Sequence, residues 1–477
     1  MRQQGPTSFT QAVINSGSAA EGCLFVALRG ATRDGHDYVR AAIAGGAAGV
    51  LVSRDVDVPL GVTVIAVPDT VQAFQDLAGA LRRQYGPRVV AITGSAGKTT
   101  TKDMVAHVLR SRFDVLASSG SHNNHLGVPL TLSSLEPAHS HAVVEIGANN
   151  KGEIAALAAL AAPDISVVTN VGYAHIGNFG SQEDIAVEKV SIFDHVPVGG
   201  ACVINGDDAL LDAATERSLN GSGKRRVSVG FGAHNDVWVE SVQPCEDGVS
   251  GVVRHAGESA EFFVGVRGRH FVYSALLAMA IGLENGISLE SGAEALRSFV
   301  PPPGRSTLIR LRPGLVLLDD SHNASPDAVL AALTLLAELP GTVKVAVLGE
   351  MRELGQRSAQ LHALIGARAA AVASHLVTVG PDGELMAAAA ARGGLDARTT
   401  WCVPSAGDAL RLVRRILAGT PGESAVLVKG ARFTHMERVS LGLRGRTIGC
   451  ELEDCRLYIN CASCPQLAVG GATLEGV

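Results

Sequence analysis

The sequence predicts an α/β protein of three domains, the central one a parallel sheet that carries a phosphate-binding loop. Three observations lead there. The β-branched run Val89-Val90-Ala91-Ile92-Thr93 stops at Gly94-Ser95-Ala96-Gly97 and resumes as a helix from Lys98, with Val105, Val108 and Leu109 at helical spacing. On both sides of it, short apolar runs alternate with Ala/Leu-rich helical stretches, as in parallel sheets covered on both faces. Breaks at Gly86-Pro87 and Pro301-Pro302-Pro303-Gly304 divide the chain into residues 1–86, 87–303 and 304–445, followed by a cysteine-containing tail at 446–477.

A chain of 477 residues has room for these domains, each with its own core. With 47% apolar and 18% charged residues it reads as a folded globular protein. The mean hydropathy of +0.23 raises the question of a membrane span, but the longest apolar run, Phe271 to Leu283, is too short for one. The N-terminus, MRQQGPTSFTQ, lacks the apolar core of a signal peptide. The net charge of −6 argues against a nucleic-acid partner and leaves room for local basic pockets that take phosphates. A cytoplasmic protein acting on small molecules is expected. Cys23, Cys202, Cys245 and Cys402 are scattered singly and read as reduced thiols.

In the first unit, Gly22 to Gly30 reads as a strand ending in a turn. Asp34-Gly35-His36-Asp37-Tyr38-Val39 leads into an Ala-rich helix, and Gly49 to Ser53 is the next strand. The second unit opens on the phosphate loop. Backbone N–H groups of Gly94, Ser95, Ala96, Gly97, Lys98, Thr99 and Thr100 would face the anion at a helix N-terminus, whose dipole favours negative charge. Lys98 can reach the β- and γ-phosphates of ATP, and the Thr99 hydroxyl can ligate Mg²⁺. The usual GxxxxGK[ST] needs a glycine where Ile92 stands, so the pattern is the shorter TGxxGKT; the plain alternative is a glycine turn before a helix. Two further strands, Ala142 to Ile146 and Ile165 to Asn170, place Glu145 and His175 at C-terminal strand ends, where ligands gather in such sheets. Residues 225–267 alternate like antiparallel strands. In the third unit, strands are expected at Leu315 to Leu318, Val343 to Leu348, Leu376 to Val379 and Ala425 to Val428.

These stretches resemble the Mur ligase family. LFVALRG and DGHDYV carry the likeness in the first unit. TGSAGKTTTKDM, NNHLGVPLTL, EIGANNKGEI, TNVGYAHIGNFGS and INGDD carry it in the second, and LDDSHNASPDAV, VLGEMRELG and VLVKGARFTHME in the third. The resemblance implies the three-domain Mur ligase architecture, with a central P-loop ATPase domain and a Rossmann-like C-terminal domain. It also implies an ATP- and Mg²⁺-dependent, ADP-forming carboxylate–amine ligase working through an acyl phosphate. Within the family, the nearest likeness is to the step that adds D-alanyl-D-alanine to a UDP-linked wall tripeptide. By that likeness Thr99 and Glu145 would hold one Mg²⁺, and His175 with a carbamylated Lys189 a second. Asp319 would hold the nucleotide and Arg305 its phosphates, with Asn323 and Lys429 as weaker candidates. Without the likeness, Lys189 reads as a solvated helical lysine beside Glu188, and Asn323 and Lys429 as turn and strand-end chemistry. His122 and His125 read as loop groups near substrate.

Three departures concern recognition. Where relatives carry Asp-Ser-Arg for the UDP moiety, this chain has Asn15-Ser16-Gly17-Ser18. The HNxxNA helix start that frames adenine reads His270-Phe271-Val272-Tyr273-Ser274-Ala275, and DDxYNANP reads Asp319-Asp320-Ser321-His322-Asn323-Ala324-Ser325-Pro326. The first domain is therefore expected to hold UDP weakly. Two rival readings follow: a paralogue ligating another amino acid or peptide, and a non-catalytic ATP-binding scaffold. The tail lies beyond the likeness. Cys450, Cys455, Cys461 and Cys464 admit a Zn²⁺ site, with an iron–sulfur cluster a looser fit; the other readings are a redox pair at Cys461 and Cys464, or incidental thiols on a flexible segment ending in Gly470, Gly471 and Gly476. Only five residues separate Cys455 from Cys461, hardly enough chain to wrap four sulfurs around one ion.

Overall fold

In the computed structural model, which describes residues 5–30, 33–420, 422–452, 455 and 460–468, each of the three units builds its own sheet. The first is wholly parallel, in the order β1 (Ala12–Val13), β2 (Leu24–Val26), β3 (Gly49–Val52), β4 (Thr63–Ala66). Every residue of β3 is buried, which is why its Val/Leu run shows no alternation. DGHDYV works structurally here: the buried His36 imidazole sits between the Asp34 carboxylate and the backbone N–H of Ser53, which donates to Nε2 at 2.9 Å. The helix Thr70–Tyr85 starts on Asp69, whose Oδ1 accepts from Val71 and Gln72 N–H, and stops at Gly86 in the left-handed conformation.

The second sheet contains β5 (Arg88–Thr93), β6 (Val115–Ala117), β7 (His141–Glu145), β8 (Ile165–Val168), β9 (Ala201–Asn205), β10 (Arg225–Gly230), β11 (Val237–Cys245), β12 (Gly248–His255) and β13 (Glu258–Val264). Their order is β13-β12-β11-β10-β9-β8-β5-β7-β6. The antiparallel insertion expected over 225–267 begins later: β10 pairs β9 and β11 in parallel, and only β11, β12 and β13 form an antiparallel meander. The first half of β10 is partly exposed and carries Arg225 and Arg226, which imitates an alternating strand. The long apolar run forms the buried helix His270–Glu284, packed in one core with the helix Lys98–Arg110. Among the described residues no helix is long and apolar enough to cross a membrane. Because β5 lies between β7 and β8, the chain leaves it first to one side and later to the other. That opens a crevice beyond the C-terminal ends of these three strands.

The third sheet contains β14 (Thr307–Arg312), β15 (Leu315–Asp320), β16 (Val343–Gly349), β17 (His375–Val379), β18 (Thr400–Val403) and β19 (Ser424–Lys429), in the order β14-β15-β19-β16-β17-β18. β14 is antiparallel to β15 and the rest are parallel. The two edge strands go beyond the four expected. Half-exposed edges tolerate residues such as Arg310, Arg312 and Thr400, and so lack an unbroken apolar run. The described part of the tail docks on the helix Glu437–Leu443. Leu441, Cys461 and Leu467 pack together, and Gly449 N–H donates to Leu467 O at 2.8 Å. The terminal glycines at 470, 471 and 476 lie outside the described residues.

Candidate active site

The phosphate loop is shaped by two glycines. Gly94 has φ 147°, and a Cβ there would lie 1.9 Å from Thr169 Oγ1; Gly97, with φ 77°, turns the chain into the helix from Lys98. The Thr169-Asn170-Val171-Gly172 stretch braces the loop from the next strand. Ala96 N–H donates to Asn170 Oδ1 (2.9 Å), Asn170 Nδ2 and Thr169 Oγ1 donate to Ala96 O (3.1 and 2.6 Å), and Gly172 N–H donates to Ser95 Oγ (2.8 Å). Lys98 Nζ folds over the loop onto Gly94 O at 2.7 Å. Burial pulls its ammonium below the usual lysine range, against the opposing pull of the Glu145 carboxylate. Thr100 is buried in the first turn of the helix.

Behind Lys98, oxygens from three segments meet. Thr99 Oγ1 donates to Glu145 Oε2 at 2.8 Å and lies 3.2 Å from Ser121 Oγ; Asn123 Nδ2 donates to Glu145 Oε1 at 2.7 Å. Neighbouring ligands of an octahedral Mg²⁺ stand about 2.9 Å apart, and hard hydroxyl and carboxylate oxygens are what the ion prefers, so the set fits it. Lys102 holds the adjoining loop, its Nζ donating to Ser118 O at 2.6 Å. Arg305 crosses from the third unit: its Nη2 donates to Thr99 Oγ1 (3.0 Å) and Ser121 Oγ (3.1 Å). Burial lowers its pKa, while the Glu145, Asp320 and Asp103 carboxylates resist. Arg305→Ala should raise the barrier by about 3 kcal/mol, roughly a hundredfold in kcat/KM for ATP, and Arg305→Lys should recover only part because the fork is lost. Steady-state ADP release checks this; an unchanged kcat/KM would remove Arg305 from phosphate binding.

His175 heads the short helix Ile176–Phe179 in a left-handed conformation, with φ 61°. Its Nδ1 is hydrogen-bonded to the Glu353 carboxylate of the third unit, which leaves Nε2 for a ligand. The imidazole holds the Glu353 carboxyl below the ordinary range. Lys189 is only 2% exposed, with its ammonium 5.9 Å from the centre of the Phe179 ring. It makes no hydrogen bond or ion pair among the described residues. The neighbouring Glu188 carboxylate instead accepts from Gly152 N–H (2.7 Å) and Ile154 N–H (2.9 Å) at the start of the helix Glu153–Ala161. Lys189 is thus not a solvated lysine paired with Glu188. Burial first, and the charge of Lys98 second, bring its pKa down to about 7.

In the third unit, Asp319 is buried and its oxygens are engaged internally: Oδ1 accepts from Ser321 Oγ (2.6 Å) and Oδ2 from Ser440 Oγ (2.6 Å). Asp320 forms an ion pair with Lys429, whose Nζ also donates to the backbone oxygen of Asn323 at 3.0 Å. The Asn323 side chain is exposed. Asp327 Oδ2 accepts from Tyr173 N–H at 2.7 Å and fastens the third unit to the loop after β8. Burial, with help from Arg305, lowers His322 to about 4. Sequence reasoning missed Ser121, Asn123, Asn170, Asp320 and Glu353 as individual participants; their signal was polar residues in turns at strand ends. At the altered helix start, Ser274 Oγ accepts from Thr101 Oγ1 (2.9 Å) and Tyr273 OH donates to Asp207 Oδ2 (3.0 Å). The Tyr273 ring stands 5.0 Å from Phe231, over which the Arg269 guanidinium stacks at 4.2 Å. In the first unit, Asn15 caps a polar turn at Ser16–Ser18, and Gln75 Nε2 donates to His125 O at 3.1 Å.

A P-loop sheet with an arginine reaching in from a second α/β domain is built for nucleoside triphosphate chemistry, and the matches to known proteins make this chain an ATP-dependent, ADP-forming carboxylate–amine ligase. The chain belongs to the Mur ligase family. The family's catalytic domain matches residues 9–84, the Mur ligase middle domain residues 92–282, and the glutamate ligase domain residues 304–432. The UDP-N-acetylmuramoyl-tripeptide–D-alanyl-D-alanine ligase of Escherichia coli K12 is 36% identical over 424 residues, 89% of this chain and 91% of the relative. A crystal structure of MurF from Acinetobacter baumannii superposes with a TM-score of 0.83 at 30% identity, covering 92% of this chain and 95% of that one. MurF from Thermotoga maritima in complex with ADP gives 0.78 at 26% identity, covering 91% and 97%.

Proposed function

We propose that this chain joins D-alanyl-D-alanine to UDP-N-acetylmuramoyl-tripeptide, with ATP cleaved to ADP and phosphate, as a cytoplasmic step of peptidoglycan precursor synthesis. The net of Thr99, Glu145, Ser121 and Arg305, drawn from two domains beside Lys98 on one phosphate loop, supports the ATP chemistry, and the 36% identity to the D-alanyl-D-alanine ligase over 89% of this chain supports the substrates. A carboxylate oxygen of the acceptor attacks the γ-phosphorus and ADP leaves; the amine nitrogen then attacks the acyl carbon, and phosphate leaves with that oxygen. Two anions must approach, so Lys98, Arg305 and the loop N–H groups concentrate positive charge where the transferred phosphoryl group passes. One Mg²⁺ would be held by Thr99 and Glu145 and a second by His175 Nε2 and carbamylated Lys189, adding charge stabilisation at the phosphates. A pKa near 7 leaves much of the Lys189 amine neutral, the form that adds CO₂ and loses a proton. Glu353 holds the His175 tautomer.

A scaffold has no use for this buried charge, and a folded chain that hydrolyses no ATP with any acceptor would favour it. The paralogue reading draws on Asn15 to Ser18 and on Phe271 and Ser274. The discriminating test pairs UDP-muramyl peptides and free amino acids with D-alanyl-D-alanine and measures phosphate release. Turnover with the UDP-linked tripeptide supports the proposal, and turnover only with other acceptors supports the paralogue. Because the Asp-Ser-Arg motif is missing, and with it the arginine's bidentate charge-assisted contact to the diphosphate, UDP alone should inhibit weakly. Tight competitive inhibition by UDP would show that another group has taken over its recognition.

A further inference from the structure

We propose that the tail closes a zinc-binding site on the third domain, with Cys461 and Cys464 from the tail and His435 and Glu437 from the domain as ligands. After β19 the chain turns through His435 in a left-handed conformation (φ 50°), which brings Nδ1 to 3.8 Å from Glu437 Oε1. Cys461 Sγ reaches 3.8 Å from the same nitrogen, and the three donor atoms all lie within 4.8 Å of one another. Ligand atoms around tetrahedral zinc stand roughly 3.2–3.8 Å apart, so only a small contraction is needed.

The fourth ligand, Cys464, comes from the same turn; its sulfur stands outside the 4.8 Å group of the other three donors and must swing toward them as the metal binds. Cys461-Ala462-Ser463-Cys464 forms a 3₁₀ turn capped by Asn460 Oδ1, with Cys464 N–H donating to Cys461 O at 3.2 Å. A CxxC turn sets two thiols on one side of the chain, the arrangement structural zinc sites use. Cys461 and Cys464 line one cavity of about 10 Å³ with Arg438, Cys450, Cys455 and Leu452, and His435 and Glu437, which do not line it, meet Cys461 at its edge.

Arg438 supplies an independent indication. It is 5% exposed and lines this cavity; Nη1 donates to Leu452 O at 2.8 Å, while Nε and Nη2 find no partner among the described residues. A buried guanidinium calls for negative charge nearby. Two thiolates and a carboxylate around a dication sum to one negative charge, which Arg438 balances. The arrangement also answers the short cysteine spacing: the tail contributes two sulfurs, and the domain contributes the nitrogen and oxygen. Zinc would tie the tail to the helix Glu437–Leu443, whose Ser440 holds Asp319.

The test uses the full chain, purified under reducing conditions, with zinc measured by plasma mass spectrometry and Co²⁺ titrated as a spectroscopic stand-in. One zinc per chain is expected, as is a Co²⁺ spectrum with a thiolate charge-transfer band. Cys461→Ser and His435→Ala should lose the metal, and Cys450→Ser should keep it. Should the variants fail to fold, the Co²⁺ spectrum of the unaltered chain decides. A reduced, folded chain that takes up neither ion overturns the proposal. So does metal retained in folded Cys461→Ser, or recovery of Cys461 and Cys464 as a disulfide in a metal-free chain.

Discussion

Lys98→Ala is expected to abolish ligation in a protein that still folds. The Lys98 ammonium lies over the phosphate loop, on Gly94 O, and the nearby Glu145 carboxylate opposes the loss of its charge. Removing it withdraws a preorganised cation from a transition state in which two anions meet. The loss should be about 4–5 kcal/mol, roughly 10³–10⁴-fold in turnover. ADP release measured beside circular dichroism separates lost chemistry from lost structure. Near-normal turnover in folded Lys98→Ala would overturn the assignment of this loop to phosphoryl transfer.

Lys189→Ala should be almost as damaging, by roughly 10²–10³-fold, and its loss should be partly reversible. A short carboxylate such as formate or acetate can supply the oxygen donor that a carbamate would have presented in the space beside Phe179. Glu145→Ala should not respond at the same concentration, because the Thr99 hydroxyl and the Asn123 amide around Glu145 are set for a tethered carboxylate. The sign of the pH effect follows from the depressed lysine. Below a pKa of about 7 the amine is protonated and cannot add CO₂; above it the neutral form dominates, so CO₂ should become less limiting as pH rises. Full activity of Lys189→Ala without additive would return this residue to a purely structural part.

The division between what could and could not be read in advance follows sequence distance. The loop from Gly94 to Thr100 is local, its glycines, lysine and threonine set by one turn of backbone, so the pattern was legible. Glu145 was legible because a carboxylate at the C-terminal end of an inner strand has few places to go. Asn170 bracing Ala96, Glu353 on His175, and Asp327 on Tyr173 were not, because each joins residues remote in sequence that only the packed domains bring together. Buried inner strands such as β19 announced themselves by unbroken apolar runs, whereas β14, with Arg310 and Arg312 on a half-exposed edge, did not. For the tail, cysteine spacing alone pointed to four thiols; the His435 and Glu437 donors come from a segment that the sequence offered only as part of VLVKGARFTHME.

The central claim is a ligation in which an acceptor carboxylate is phosphorylated by ATP before the amine attacks, and an oxygen label tests it most directly. UDP-N-acetylmuramoyl-tripeptide carrying ¹⁸O in its terminal carboxylate is incubated with the full chain, ATP, Mg²⁺ and D-alanyl-D-alanine, and the released phosphate is analysed by mass. The account predicts ADP and phosphate in step with amide, each phosphate carrying one oxygen from the labelled carboxylate. Label in AMP, or amide formed with unlabelled phosphate, would contradict it.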